Sequence, residues 1–163
     1  GESFPLLGKE YTLVICKKSN IQAVSVTLDA REITVTVPEG ITVDEQSVII
    51  REALVYWYKK QAAQFVEGRM CVYSHKLGVK PSKVLIKGQK TRWGSCTKDN
   101  AININWKLMM APEEIVDYVI VHELAHIRVR NHSQDFWKLV ESIMPEYKKY
   151  NKWLKDNGHT LGF

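Results

Sequence analysis

Cysteine is scarce, odd in number and scattered: Cys16, Cys71 and Cys96 stand far apart, and none has a CxxC neighbour. That excludes a disulfide-stapled scaffold and takes cysteine off the list of candidate metal ligands. No apolar run approaches the roughly 20 residues needed to cross a bilayer, so a membrane-spanning helix is excluded and no membrane partner is expected. The chain opens with no basic, then apolar, then small-residue leader, and with the reduced-thiol pattern this sets the expectation of a cytoplasmic protein. Internal repeats and low-complexity segments are missing too. Acidic residues almost vanish between His75 and Lys107, where Lys76, Lys80, Lys83, Lys87, Lys90, Arg92, Lys98 and Lys107 meet a single acid, Asp99. Such a stretch suits nucleic acid or an acidic protein partner. A solvated face whose lysines protect a sheet edge is the simpler reading, because only Trp93 and Trp106 offer stacking surfaces. Nucleic acid therefore enters as a weakly supported partner.

What is present describes an ordinary globular chain: 163 residues, 45% apolar and 25% charged. That length suits one domain with a small accessory layer. The first forty residues predict a β-meander from "YTLVIC" (11–16), "AVSVTL" (23–28) and "EITVTV" (32–37), ended by Pro38 and Gly40. Residues 1–40 are thus expected as an accessory layer and 41–163 as the unit that carries chemistry. Thr42 and Glu45 form a capping box before a helix expected to reach about Val66, with Gly68 just beyond it and a shorter helix to about Leu77. "KVLIK" (83–87), "TRWGSC" (91–96) and "AININ" (101–105) predict strands, the last two joined by "TKDN" as a hairpin turn. From Pro112 onward the pattern is helical. Ile115, Val116, Val119, Ile120, Leu124 and Ile127 form a buried stripe, Ser133 caps "QDFWKLVESIM", and Pro145 opens a last helix that stops at Asn157-Gly158.

The stretch "VHELAHIRVRNH", Val121 to His132, holds three of the five histidines. Residues four apart lie on one helix face, separated by about 6 Å of rise, so His122 and His126 project side by side. Glu123 lies about 100° round from His122 and can border a metal without ligating it. A catalytic zinc usually takes three protein groups and keeps one position for water. A helix ending near Arg130, with a left-handed turn at Asn131, would bring His132 back as the third ligand. Glu141, on the following helix, is the alternative third ligand. His75 and His159 share none of this argument and are expected to be surface or core residues.

Four segments, "TRWGSC", "ININWKLMMAP", "DYVIVHELAH" and "NHSQDFW", resemble the YgjP-like family of predicted zinc metallopeptidases, which is related to the SprT-like proteases within the zincin group. The match is strongest from about Leu77 to the C-terminus, and "FPLLGKEYTL" is similar to the family's N-terminal strand region. The resemblance implies an α+β, minimal zincin-like fold, with an antiparallel or mixed sheet packed on the HExxH helix. It also implies one zinc held by His122, His126 and His132, with Glu123 as general base. The expected activity is hydrolysis of polypeptide through a zinc-activated water. A DNA-associated SprT-like protease or a nucleic-acid-binding zinc protein is the alternative. Metzincins place a glycine three residues after the second histidine; Val129 stands there, so the helix is expected to run a residue or two further. The Thr91–Asn105 hairpin could offer an edge strand to an extended substrate, with Arg92 and Trp93 near the cleft. Arg92, Tyr147 and Tyr150 are the candidate oxyanion donors.

Overall fold

Period-two patterning at the N-terminus produces four strands in the computed structural model, which describes Gly1–Phe163: β1 (Ser3–Leu6), β2 (Lys9–Lys18), β3 (Ser25–Leu28) and β4 (Glu32–Pro38). Their order is β1-β2-β4-β3, so the expected meander is corrected. Strand β4 lies parallel to β2, with Thr12 opposite Glu32 and Lys18 opposite Pro38, while β3 pairs antiparallel on the far side of β4. The burial of side chains supplies the reason. Ile33, Val35 and Val37 on β4 are fully buried, whereas β3 is mostly exposed. The strand with the strongest apolar face takes the inner position and leaves the polar one at the edge. Strand β1 was not foreseen. It joins β2 through Leu7 and Gly8, both at positive φ (50° and 86°), the backbone that a two-residue hairpin turn requires.

The capping box forms as expected: Thr42 Oγ1 accepts from Glu45 N, and Thr42 N donates to Glu45 Oε2, each at 3.1 Å. The helix it starts, α1 (Val43–Leu77), runs 35 residues without a break at Gly68. Leu54, Trp57, Tyr58, Ala62, Val66, Met70 and Leu77 are buried, and their spacing carries the core face straight past Gly68. A Cβ added at Gly68 would meet nothing within 4 Å, so that glycine marks no close approach. The actual stop is Gly78, left-handed at φ 65°.

A second sheet follows, built from β5 (Lys83–Lys87), β6 (Gly94–Cys96) and β7 (Ala101–Asn105) in the order β5-β7-β6. Strands β5 and β7 are parallel, and β6 pairs antiparallel with β7 as an edge. The strand expected over 91–96 is thus shortened to its last three residues; the turn at 97–100 stands, with Asn100 at φ 66°. A 3-10 turn over Trp106–Met110 leads into α2 (Glu113–Arg128), α3 (Gln134–Ile143) and α4 (Tyr147–Asn157). Helix α2 runs through the core with Ile115, Val116, Val119, Ile120, Val121 and Leu124 buried. Arg69, one residue past the glycine that does not break α1, ties that helix to α2 through Glu113 (3.1 Å) and Asp117 (3.4 Å). No helix is long and apolar enough to cross a membrane.

Candidate metal centre

Three imidazoles converge at the C-terminal end of α2. Nε2 of His132 lies 3.1 Å from Nε2 of His126 and 3.2 Å from Nε2 of His122, and one ligand atom from each falls within 4.8 Å of the others. Tetrahedral ligands about 2.0–2.1 Å from a zinc are about 3.3 Å apart, which matches the two distances measured from His132. Glu141 does not join them. It is exposed on α3 and lines an open groove shared with His132 and Tyr147.

His132 arrives by a different route from the one expected. Helix α2 ends at Arg128, and Val129 is already extended (φ −133°, ψ 106°). The non-glycine residues at positive φ are Leu7, Asn20 and Asn100, so Asn131 makes no left-handed turn. The chain leaves the helix by extending at Val129, and Ser133 then caps α3 by accepting from Phe136 N at 3.4 Å. The early exit has a use. Nδ1 of His126 lies 3.0 Å from the Val129 carbonyl, which fixes the proton on Nδ1 and leaves the Nε2 lone pair facing the other histidines. Arg130 holds the same link by donating to Thr97 O at 2.9 Å, to Lys98 O at 3.4 Å and to Asn100 Oδ1, all in the β6–β7 turn.

Aromatic residues of "QDFW" pack around the imidazoles, a role the sequence pattern did not reveal. Phe136, fully buried, stacks on His126 at 4.3 Å and meets His122 edge-on at 5.0 Å. Trp137 stacks on His132 at 5.9 Å and on Tyr147 at 5.2 Å. Tyr147 thereby sits beside the centre, whereas Tyr150 lies against Tyr118, whose hydroxyl is 3.5 Å from Nδ1 of His122. His75 and His159 are exposed and lie outside the cluster.

Burial sets the electrostatics. It pushes the His122 pKa down to about 3, helped by the neighbouring charges of His126 and His132, and it lowers that of His126 as well. Both rings are therefore neutral near pH 7, with a lone pair free for a cation. Burial raises Glu123 to about 7, with Arg92 pulling the other way. Glu123 lies against Gly94 of the edge strand β6, a contact between separate elements that no local pattern could locate.

The family model described as "YgjP-like, metallopeptidase domain" matches residues 1–157. Among solved structures, the metallopeptidase zymogen of Pyrococcus abyssi abylysin is similar at a TM-score of 0.51 and 26% identity, covering 56% of this chain and 93% of its own. The metallopeptidase zymogen of Methanocaldococcus jannaschii jannalysin is similar in fold at a TM-score of 0.50 and 20% identity, covering 56% of this chain and 94% of its own. No curated protein matches the chain.

Proposed function

Since the chain belongs to the YgjP-like metallopeptidase family, we propose that it hydrolyses peptide bonds with one zinc held by His122, His126 and His132 and with Glu123 as general base. The observation that carries this reading is the grouping of three imidazoles, with Nε2 of His132 3.1 Å and 3.2 Å from Nε2 of His126 and His122, beside a buried Glu123 that is not part of the group. Zinc suits an all-imidazole set and would supply Lewis acidity, with a water made acidic enough to react near neutral pH. Imidazole ligands add no negative charge, so an ion held by His122, His126 and His132 would keep its full cationic field for polarising water and the substrate carbonyl. Glu123 accepts the proton of the attacking water and delivers it to the departing amine. A carboxylate raised to about 7 by burial is well matched to both tasks. Arg92, whose charge opposes the rise at Glu123, would favour the ionised carboxylate and offer charge to the developing oxyanion.

Residues 41–163 would carry this chemistry, and 1–40 would form the accessory layer against which α1 packs, through contacts such as Tyr58 Oη donating to Pro5 O at 2.6 Å. Three free cysteines support a reducing, cytoplasmic setting.

The test is metal content first and cleavage second. Protein purified without added metal should hold about one zinc per chain, and His132→Ala should lose it. Glu123→Gln should keep the zinc and lose casein cleavage. Zinc retained in full by His132→Ala would place the third ligand elsewhere, and unimpaired cleavage by Glu123→Gln would remove the base from the mechanism.

A further inference from the structure

Three of the cations from the acid-poor stretch come together in one place. Lys90, Arg92 and Lys107 line a cavity of about 380 Å³, together with His159 and without a single Asp or Glu. The cavity is built rather than incidental. Asn105, buried at 3% exposure, donates from Nδ2 to Gln89 O at 2.8 Å and to Arg92 O at 3.0 Å, and its backbone N–H donates to Trp93 O at 2.9 Å. Its Oδ1 accepts from Lys107 N at 3.0 Å, so one side chain fixes both basic walls. Trp93 closes the floor against Gly158, where an added Cβ would sit 2.9 Å from Cζ2 of the indole.

The cavity is also joined along the chain to the strand that walls Glu123. Arg92 and Trp93 run directly into Gly94, the residue of β6 that touches Glu123. Two residues of extended chain span at most about 7 Å. The outer side of β6 is unpaired in the sheet, so an extended peptide held there with its scissile bond at Glu123 places a nearby residue at the cavity mouth.

We propose that this basic cavity is a substrate subsite that takes a carboxylate, so that the protein cleaves within about three residues of an acidic side chain or of a free C-terminus. The inference rests on the peptidase reading. The ligand is a carboxylate of a peptide rather than the backbone of a nucleic acid because the cations are gathered into a concavity of side-chain size. A phosphate-tracking surface would spread them along a groove, and Lys76, Lys80, Lys83, Lys87 and Lys98 take no part in lining this cavity.

The experiment is fluorescence anisotropy of labelled hexapeptides on the zinc-loaded Glu123→Gln chain of residues 1–163. The peptides carry one Glu or one Gln, each with a free or an amidated C-terminus. A carboxylate should tighten binding about tenfold over the neutral amide, the advantage should shrink with salt, and Lys107→Glu or Lys90→Glu should abolish it. Comparing Glu with a free terminus shows which carboxylate the cavity reads. Equal affinity for the neutral peptide, or no effect of either reversal, overturns the proposal. So does competition by a DNA duplex where carboxylate peptides bind no better than neutral ones. Mapping casein cleavage by wild type separates the two readings. Cleavage with no acidic residue near the cut sites defeats the subsite alone. Lysine-dependent carboxylate binding with no cleavage at all upholds the anion site and defeats the peptidase.

Discussion

Gly94 of the edge strand lies so close to Glu123 that a methyl group at position 94 would stand 2.9 Å from Cγ of the glutamate. The same methyl would be 3.0 Å from Val119 Cγ1 and 3.1 Å from the Asn103 carbonyl oxygen. The backbone of β6 thus forms the wall that aims the proposed base.

Gly94→Ala should therefore displace Glu123 while leaving the histidines in place. Cleavage is expected to fall about a hundredfold, as for small misplacements of reacting groups. Zinc content should remain at the wild-type level. Assaying both on one preparation checks the claim; joint loss of metal and activity would mean that the strand supports the whole centre rather than the base.

Arg130 should act on the metal without touching it. It anchors the link that carries His132 and supplies the Val129 carbonyl to His126. Arg130→Ala is expected to weaken zinc affinity on the order of tenfold with helix content unchanged, and Lys should rescue it poorly because it cannot reach several acceptors at once. Competition with a chromophoric chelator measures this directly.

The pH response of the metal-free chain follows from Glu123, whose pKa burial raises from 4.5 to about 7. A group raised on folding contributes stability below its unfolded pKa and loses it as pH climbs through the folded one. Wild type in chelator should accordingly lose stability between about pH 4.5 and 7 relative to Glu123→Gln, and the gap should level off above that range at roughly 3 kcal/mol. Urea midpoints of the two proteins at pH 5, 6, 7 and 8 give the curve. A constant gap would show that burial does not hold this carboxyl protonated.

Gly68 offers a test of the long helix. It is interior to α1 and an added Cβ meets nothing within 4 Å. Gly68→Ala should stabilise the protein by about 0.5–1 kcal/mol, seen as a higher thermal midpoint with unchanged zinc binding. A helix that broke there would respond with a loss of stability.

The sequence by itself determined whatever depends on local geometry. His122 and His126 share a helix face because four residues return nearly one turn, and Glu123 is set aside from them by the same rotation. The Thr42–Glu45 box and the Ser133 cap are read from neighbours three residues apart, and β2, β3 and β4 from their alternation. Beyond that reach, the pattern misleads. Gly68 looks like a helix end because glycine is locally unfavourable, yet a core face continuing on both sides outweighs a cost of about 1 kcal/mol. Asn131 looks like the turning residue because it tolerates a left-handed backbone, but the Val129 carbonyl is needed by His126, so the chain departs earlier. The meander fails because alternation specifies a strand without naming its neighbour, and the buried face of β4 claims the place beside β2. The wall at Gly94, the aromatic shell of Phe136 and Trp137 and the gathering of Lys90, Arg92 and Lys107 unite residues from separate elements. Only packing and long-range hydrogen bonds bring such groups together, so the tertiary structure alone decided them.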